Sequence, residues 1–593
     1  MSTSRQVPKA WRYGVLAFLA LVVLVPLWMM FVSLVIEPEY TRNYEVGMAN
    51  KLMWWLIAPV VAVSVFTGWR WQVASSQSGH ATEPQQANAR QAPSTTPLSA
   101  DDAAKARREY VLEIIGMGVT LDKYRQGKLW DALQTGHPFG SVREQDPKKY
   151  PWSAMDKFGQ EGGRSASTLE NGIGRLPLYW PTPSFYADSP ALEPVARGKP
   201  SDWPITGTVG AADSNGLAWT LFVSAGWALS EHPDRIVEKA FEFFDQHPDV
   251  PYLVVAAADG LYFRDQYRPE GTPPLVYDGY YVPSMPDSSA LFVLARRERV
   301  DAIRAFAVDD IDEKAITDMD EVNRRGMARR VFRKFLDLRK KVPQPDGSVG
   351  RNPTVPEWLE ESKKLSTSPD FYPAETISTY AEKFKHPLGG GVVNAPKDFK
   401  PTPWFPVPWS KWQLEMFDAL PTLGYLHRPT YIKLTDKDGH PLQRRDERVK
   451  ALTEGWQQAL QTLPEAERKT ALKRIITATG GNTDKTIALT SMINAQAEAG
   501  GPELDASKSS QWINTDARLG NTGAATWFVQ MGIGVMGSYI DGGVSAAINL
   551  RDDKEASVIF ISPPPADKVK KQGAGVFKND TKPAIDPANY EQH

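Results

Sequence analysis

The chain contains no cysteine. Disulfides, thiol catalysis and thiolate metal sites are excluded together, while the compartment stays open, because a protein without Cys can live on either side of a membrane. Several enzyme signatures are missing as well. A nucleophile elbow needs Gly-x-Ser-x-Gly, yet Ala212 precedes Ser214 and Phe222 precedes Ser224 where glycine would be required. No Gly-x-x-x-x-Gly-Lys-Ser/Thr phosphate loop and no His-Glu-x-x-His zinc helix occurs. The 8 histidines are dispersed, with no pair at ligand spacing on one helix face. His427, in Leu426-His427-Arg428-Pro429, is the one to follow, and a buried imidazole bonded to backbone is its expected state, since a base without a visible partner means little. A charge excess is also lacking. The net charge of -2 gives no reason to expect nucleic acid as a partner.

What is present begins with two long apolar runs, Tyr13 to Ile36 and Leu52 to Trp69. The first is uncharged and exceeds the ~20 residues a membrane-crossing helix needs. The second is near the minimum, with Trp54, Trp55 and Trp69 at its edges. A cleaved signal peptide is the rival for the first run, but that run ends in Glu37-Pro38-Glu39 instead of a small-residue cleavage site. Arg5, Lys9 and Arg12 precede the first run and Arg70 follows the second, whereas the loop between them carries Glu37, Glu39 and Glu45 against Arg42 and Lys51. Cations resist export, so the expectation is a bacterial inner-membrane protein with two spans and its large soluble region in the cytoplasm. A second run that fails to span would instead place that region outside.

The soluble part reads as α/β: two tandem α/β domains after an N-terminal pair of transmembrane helices. Residues 1–71 form the anchor. Residues 72–104, rich in Ser, Thr, Gln, Pro and Ala, form a flexible linker that cannot bury enough apolar surface to fold. The first α/β domain covers 105–345, with a strand at Val111 to Val119 and a helix over Lys123 to Gln134. Its clearest unit is β-α-β: an apolar run from Leu217 to Leu229, a helix with Ile236, Ala240, Phe243 and Phe244 on one face, and a strand from Tyr252 to Ala258. A strand at Ala290 to Ala295 and a long helix over Ile316 to Val342 close this half. A Pro/Gly-rich connector, 346–402, precedes the second α/β domain at 403–570, and 571–593 forms a disordered tail. In the second domain, strands are expected at Thr430 to Leu434 and Ala556 to Ile561, with a helix over Arg448 to Leu463. The likeness of Ser289-Ala-Leu-Phe-Val-Leu-Ala-Arg to Ala556-Ser-Val-Ile-Phe-Ile-Ser hints at a tandem duplication.

Four motifs carry possible chemistry. Gly532-Ile-Gly534-Val-Met-Gly537 matches the dinucleotide fingerprint in letters, but the following Gly542-Gly543 makes a Gly-rich turn or hairpin the preferred reading. Asp436-Lys-Asp438-Gly439 resembles the start of a calcium loop, and Arg444 and Arg445 disfavour cation binding there. A helix over Arg324 to Lys341 has Met327, Val331, Phe335 and Leu338 as its apolar stripe, with Arg324, Arg325, Arg329, Arg330, Arg333 and Lys334 among the cations crowding the rest. It is either a solvated outer face or a docking face for an acidic protein or inner-membrane lipid, at ~1 kcal/mol per close cation. Trp404, Trp409 and Trp412 in a Pro-interrupted segment suit protein recognition or core filling equally.

The stretch Gly118-Val-Thr-Leu-Asp-Lys-Tyr-Arg-Gln-Gly-Lys-Leu-Trp130, Leu423-Gly-Tyr-Leu-His-Arg-Pro429 and the two N-terminal spans resemble the type VI lipase adapter family of Gram-negative bacteria. The resemblance implies a non-enzymatic protein that needs no cofactor, binds a lipase or phospholipase toxin as its effector and assists its loading on the VgrG spike of a type VI secretion system. No catalytic residues come with it. The alternatives are a periplasm-facing immunity-type inhibitor of such a toxin and a membrane-anchored hydrolase with an unrecognised site.

Overall fold

The structure is a computed structural model that describes residues 105, 110–177, 182–187, 206–207, 221–228, 232–266, 268, 271–308, 327–344, 347–365, 396, 398–402, 404–468 and 472–577. The two apolar runs, the linker and residues 578–593 lie outside the described residues. Among the described residues, no helix is long and apolar enough to cross a membrane. The chain divides into Met1–Pro97 and Leu98–His593, and all the described residues belong to the second unit.

Among the described residues, thirteen strands form one mixed sheet. In the first half these are β1 (Val111–Leu121), β2 (Tyr124–Arg125), β3 (Thr182–Ala187), β4 (Thr206–Gly207), β5 (Leu221–Ala228), β6 (Tyr252–Asp259) and β7 (Ser288–Ala295). The second half supplies β8 (Gly424–His427), β9 (Thr430–Lys433), β10 (Leu472–Ala478), β11 (Trp512–Asn514), β12 (Val544–Asn549) and β13 (Glu555–Ser562). β7 is buried at every position, and β1 and β13 at nearly every one. Such near-continuous apolar runs are what strands covered on both faces require.

The sheet runs β11-β10-β12-β13-β8-β1-β7-β6-β3-β5-β4. Outward from its middle, each half repeats one pattern. β1 pairs antiparallel with β7, β7 antiparallel with β6, and β6 and β5 each parallel with β3. Likewise β8 pairs antiparallel with β13, β13 antiparallel with β12, and β12 and β11 each parallel with β10. The halves therefore share a strand order, and the two segments whose likeness hints at duplication are its equivalent strands, β7 and β13. The expectation of two tandem domains meets a continuous sheet: β1 pairs antiparallel with β8 from Val111↔His427 to Ile114↔Gly424, so each half completes the other.

The helices follow from apolar periodicity. We number them α1 (Gln126–Gln134), α2 (Ala154–Ile173), α3 (Arg235–Gln246), α4 (Met327–Arg339), α5 (Arg445–Leu460), α6 (Thr483–Glu498) and α7 (Thr526–Asp541). In α3, the stripe Ile236, Ala240, Phe243 and Phe244 is buried, and the helix makes the expected crossover from β5 to β6. Its equivalent, α7, carries the crossover from β11 to β12, and every residue from Thr526 to Tyr539 is buried. This corrects the turn or hairpin read into Gly532–Gly537. The helix opens at Thr526, upstream of the glycines, and packs against β12, β10 and β13 on one side and β7 and β1 on the other. Burial on all sides outweighs the ~1 kcal/mol per glycine that propensity charges. The glycines are where backbone must approach closely: a Cβ on Gly532 would lie 2.4 Å from Val119 Cγ2, and one on Gly537 2.8 Å from Trp130 Cη2.

Side chains also join the halves. Arg518, 2% exposed, donates to the carbonyls of Ala132, Leu133, Thr135 and His137, thereby capping the C-terminal end of α1. Within the expected connector, the helix Val355–Ser362 begins with a Thr354 and Glu357 capping box and buries Trp358 completely, so this part is structured. Of the expected tail, Phe577 is buried against Tyr539 at a ring distance of 5.1 Å.

Candidate functional site

Where the halves meet, the ends of β6 and β12 and the starts of α3 and α7 border a cleft of about 240 Å³ lined by Asp234, Arg264, Gly523, Asn549, Arg551 and Asp552, among others. Asp259 closes the β6 end. Its carboxylate accepts from the Gly260 N–H (2.8 Å), from Arg264 Nε and Nη2 (2.8 and 2.7 Å), and from the Ala524 N–H across the junction (2.8 Å). A carboxylate so supplied with donors acts as a clamp between the halves. Arg551 is held by Thr526 Oγ1 (2.8 Å) and Asn521 Oδ1 (2.5 Å).

Asp234 is the reactive-looking member. Asn549 Nδ2 donates to its Oδ2 at 3.0 Å, and burial pushes its carboxyl up to about 7 against the opposing hydrogen bonds from Ser557 and Asn549. Such a group can give or take a proton near neutrality, a property shared by functional sites and structural networks. In this cleft the Ser557 hydroxyl is itself hydrogen-bonded to the Asp234 carboxyl, so the chemistry on display is proton exchange and hydrogen bonding between a hydroxyl and a carboxyl. A raised carboxyl stabilises fully below its unfolded value of 3.8, and that contribution is lost as pH rises through about 7. Asp234→Asn should therefore flatten the fall in stability between pH 4 and 8 and unfold at higher urea than the parent at pH 8. Urea titrations at pH 5 and 8 measure both.

His427 is buried in β8. Its Nδ1 lies 2.9 Å from the Thr462 carbonyl oxygen and its Nε2 2.8 Å from Ser562 Oγ, which also lies 3.0 Å from Glu467 Oε2. The backbone-bonded histidine expected from the sequence is what the fold contains, and burial lowers its pKa to about 4. With Nδ1–H on a carbonyl, the neutral ring presents Nε2 as an acceptor that competes with the Glu467 carboxylate for the single Ser562 hydroxyl proton, and a Ser–His contact is one a hydrolase would also use. Here Ser562 is 7% and His427 1% exposed, which shuts out a substrate. Ser562→Ala should cost about 1–3 kcal/mol by leaving buried acceptors unmet. Lipid or ester hydrolysis by the purified protein, abolished by this change, would reverse that assignment.

The remaining residues singled out from the sequence occupy varied settings. Arg324 and Arg325 lie outside the described residues, as do the side chains of Arg329, Arg330, Arg333 and Trp412. Lys334 is half-buried on α4, whose Val331 and Phe335 face the core. Trp404 and Trp409 are 7% and 0% exposed and belong to an aromatic core chain: Trp404 meets Phe243 edge-on at 5.2 Å, and Trp409 meets Phe417 at 5.5 Å. In this segment core filling has won over recognition, because Phe405, Phe417 and Phe243 surround the rings. Asp436, Asp438 and His440 converge on an exposed turn in which Asp436 Oδ1 accepts from the N–H groups of the other two, each at 2.9 Å. Asp234 and Asp259 had no sequence signal beyond an acid at a helix start and an acid at a strand end.

Solved structures that match this chain include a ketosynthase from module 1 of the bacillaene synthase of Bacillus amyloliquefaciens, at 10% identity and TM-score 0.34 over 78% of this chain and 77% of that one. They also include a variant of Xanthomonas campestris OleA with cerulenin (11%, TM-score 0.32, 77% and 99%) and an Ascaris suum thiolase, Acat5, in complex with coenzyme A (9%, TM-score 0.31, 76% and 100%). Family comparison is more specific. Residues 110–278 match the N-terminal part of the type VI lipase adapter protein Tla3, and residues 423–563 match its C-terminal part. These matches cover more than half of the chain and reach into both halves of the sheet, β1 to β6 in one and β8 to β13 in the other: the chain belongs to the type VI lipase adapter protein Tla3 family.

Proposed function

We propose that this protein is a non-enzymatic adapter that binds a lipase-type effector and assists its loading on the VgrG spike of a type VI secretion system. The observation that carries the reading is the family match over both halves of one continuous sheet. The burial of the Ser562 and His427 pair supports it, since a buried pair binds no substrate. For stable recognition of a folded toxin, each partner must present on the order of 800 Å². The two apolar runs at Tyr13 to Ile36 and Leu52 to Trp69 would tether the adapter to the inner membrane, with its soluble region cytoplasmic, raising its effective concentration near the secretion machine.

The test is to co-express the full chain with each lipase-type effector of the producing organism and to follow both co-purification and secretion. Stable capture of one effector, with its secretion lost when the adapter is deleted, is the expected result. A capture that occurs only from the periplasm and blocks lipase activity would make the protein an inhibitor instead. A truncation starting at Leu98 should bind the effector normally and support its secretion less well. Full secretion by that truncation would remove the tether from the account.

A further inference from the structure

Five of the exposed large apolar side chains among the described residues belong to two segments that hydrogen bonds hold together: Trp152 (49% exposed), Met155 (75%), Leu275 (40%), Tyr277 (51%) and Tyr280 (36%). They come from the start of α2 and from the loop that precedes β7, stitched together by backbone. Gly279 N–H donates to the Trp152 carbonyl (2.7 Å), and Ala154 N–H donates to Asp278 Oδ1 (2.8 Å). Lys157 Nζ donates to the carbonyls of Trp152, Tyr277 and Gly279, at 2.8, 2.9 and 2.8 Å, and sits 4.5 Å from the Tyr281 ring centre. The Tyr277 and Tyr281 rings stack at 4.4 Å. Below the face, Arg164 ties Asp122 to Asp287, and Tyr150 donates to Asp122. The aromatic groups are thus displayed on a braced scaffold, which lowers the ordering entropy a partner must overcome.

We propose that this face is the docking surface for the effector, and that it takes a protein segment presenting aliphatic side chains flanked by acidic residues. The proposal rests on the adapter reading for the class of partner. The chemistry of the partner is set by what the face leaves unmatched. Among the described residues of the two segments, Asp278 is engaged by Ala154, Asp265 by the Leu275 N–H and Arg268, and Asp146 by the Lys148 N–H. Lys148 and Lys149, exposed next to Trp152, form no ion pair among the described residues. An apolar centre of Trp and Tyr with a cationic rim is complementary to an apolar protrusion with an acidic rim. A membrane is the other surface such residues can meet, but two free cations at ~1 kcal/mol each fall short of the four to eight that anionic-lipid sites use.

The test uses the full chain and the lipase-type effector that it captures. Trp152→Ala combined with Tyr277→Ala should weaken binding about 100-fold, as loss of two aromatic anchors does. Lys148→Glu with Lys149→Glu should weaken it about 10-fold, mainly through slower association at low salt. Ile487→Ala and Ile540→Ala, exposed apolar positions outside this face, should bind as the parent does. If the aromatic double variant fails to fold in thermal unfolding, the exposed lysine pair decides alone. Parental affinity in both double variants would overturn the surface while leaving the adapter reading intact. Failure of the unaltered chain to bind any lipase-type effector would overturn the reading and the proposal together. Trp152-dependent sedimentation with phosphatidylethanolamine and phosphatidylglycerol vesicles, with effector binding unchanged, would assign the face to the membrane.

Discussion

Gly118→Ala should leave the soluble body at or below the limit of folding. Gly118 sits in the middle of β1 opposite Leu291 of β7, with α2 lying directly on it. A methyl group there would stand 1.9 Å from the Thr168 carbonyl oxygen and 2.8 Å from its carbon. Both are backbone atoms of a helix, so no rotamer change relieves the clash. The neighbouring contact has no slack either: a Cβ on Gly116 would lie 2.3 Å from the Gly172 oxygen, and one on Gly172 would lie 2.3 Å from Leu291 Cδ2. Overpacking in a core costs about 1–3 kcal/mol when side chains can shift, and a helix forced off its sheet costs more, so about 4 kcal/mol is expected. That is a large part of the ~5–15 kcal/mol available to a domain. The control lies in the same helix. Gly159 and Gly162 have nothing within 4 Å of a built Cβ, and alanine at either should raise stability by about 0.5–1 kcal/mol through helix propensity alone. Urea unfolding followed by circular dichroism separates the two outcomes, and a Gly118→Ala protein as stable as its parent would show that α2 does not rest on β1 in this way.

Arg164→Ala should be nearly as damaging, and its effect should depend on pH in a defined direction. The guanidinium is 5% exposed, lies 3.1 Å from Asp122 Oδ1 and is also paired with Asp287. Glu161 completes the group: burial, then the neighbouring Asp287, raises its carboxyl well above the ordinary range. Burial also raises Asp287, against the lowering pull of Arg164. Removing this cation leaves the buried carboxylates without their paired guanidinium, an effect of about 3–5 kcal/mol. With Arg164 gone, the folded-state pKa values of Glu161 and Asp287 move further up. A group raised in the folded state contributes stability that is present at low pH and lost as pH rises through the folded value. The gap between variant and parent should therefore be larger at pH 8 than at pH 5, measured by urea midpoints. A gap that widens on acidification would mean that Arg164 does not serve as the counterion. Because Asp122 and Asp287 brace the aromatic face, Arg164→Ala should also weaken effector capture even where enough protein remains folded.

The regular elements were readable wherever local pattern and burial agree. β1, β6, β7 and β13 are apolar because the sheet is covered on both faces, and α3 shows its core stripe at three and four spacing. The likeness of the segments that became β7 and β13 was legible because equivalent strands of the two halves meet equivalent surroundings. α7 was not legible: its glycines read as a turn, since nothing in a one-dimensional string shows that strands of both halves press on it. The tryptophans at 404 and 409 carry the same lesson in reverse, because a Pro-interrupted aromatic run looks alike on a surface and in a core until Phe243 and Phe417 are seen around it. Trp152 and Tyr277 lie far apart in sequence and gave no joint signal; Lys157 and the Gly279 amide bring them together.

By itself the sequence determined the α/β class, the absence of thiol chemistry, the paired apolar runs near the start of the chain and, through its resemblance, the adapter family. Those properties are written in composition, period and contiguous strings. Tertiary structure alone decided that the halves are one sheet, that α7 is a helix between them, that Ser562 and His427 are shut away, and which aromatics reach solvent. Each of these depends on contacts between residues distant in the chain, where the energy of burial and close backbone approach overrides what any local segment prefers.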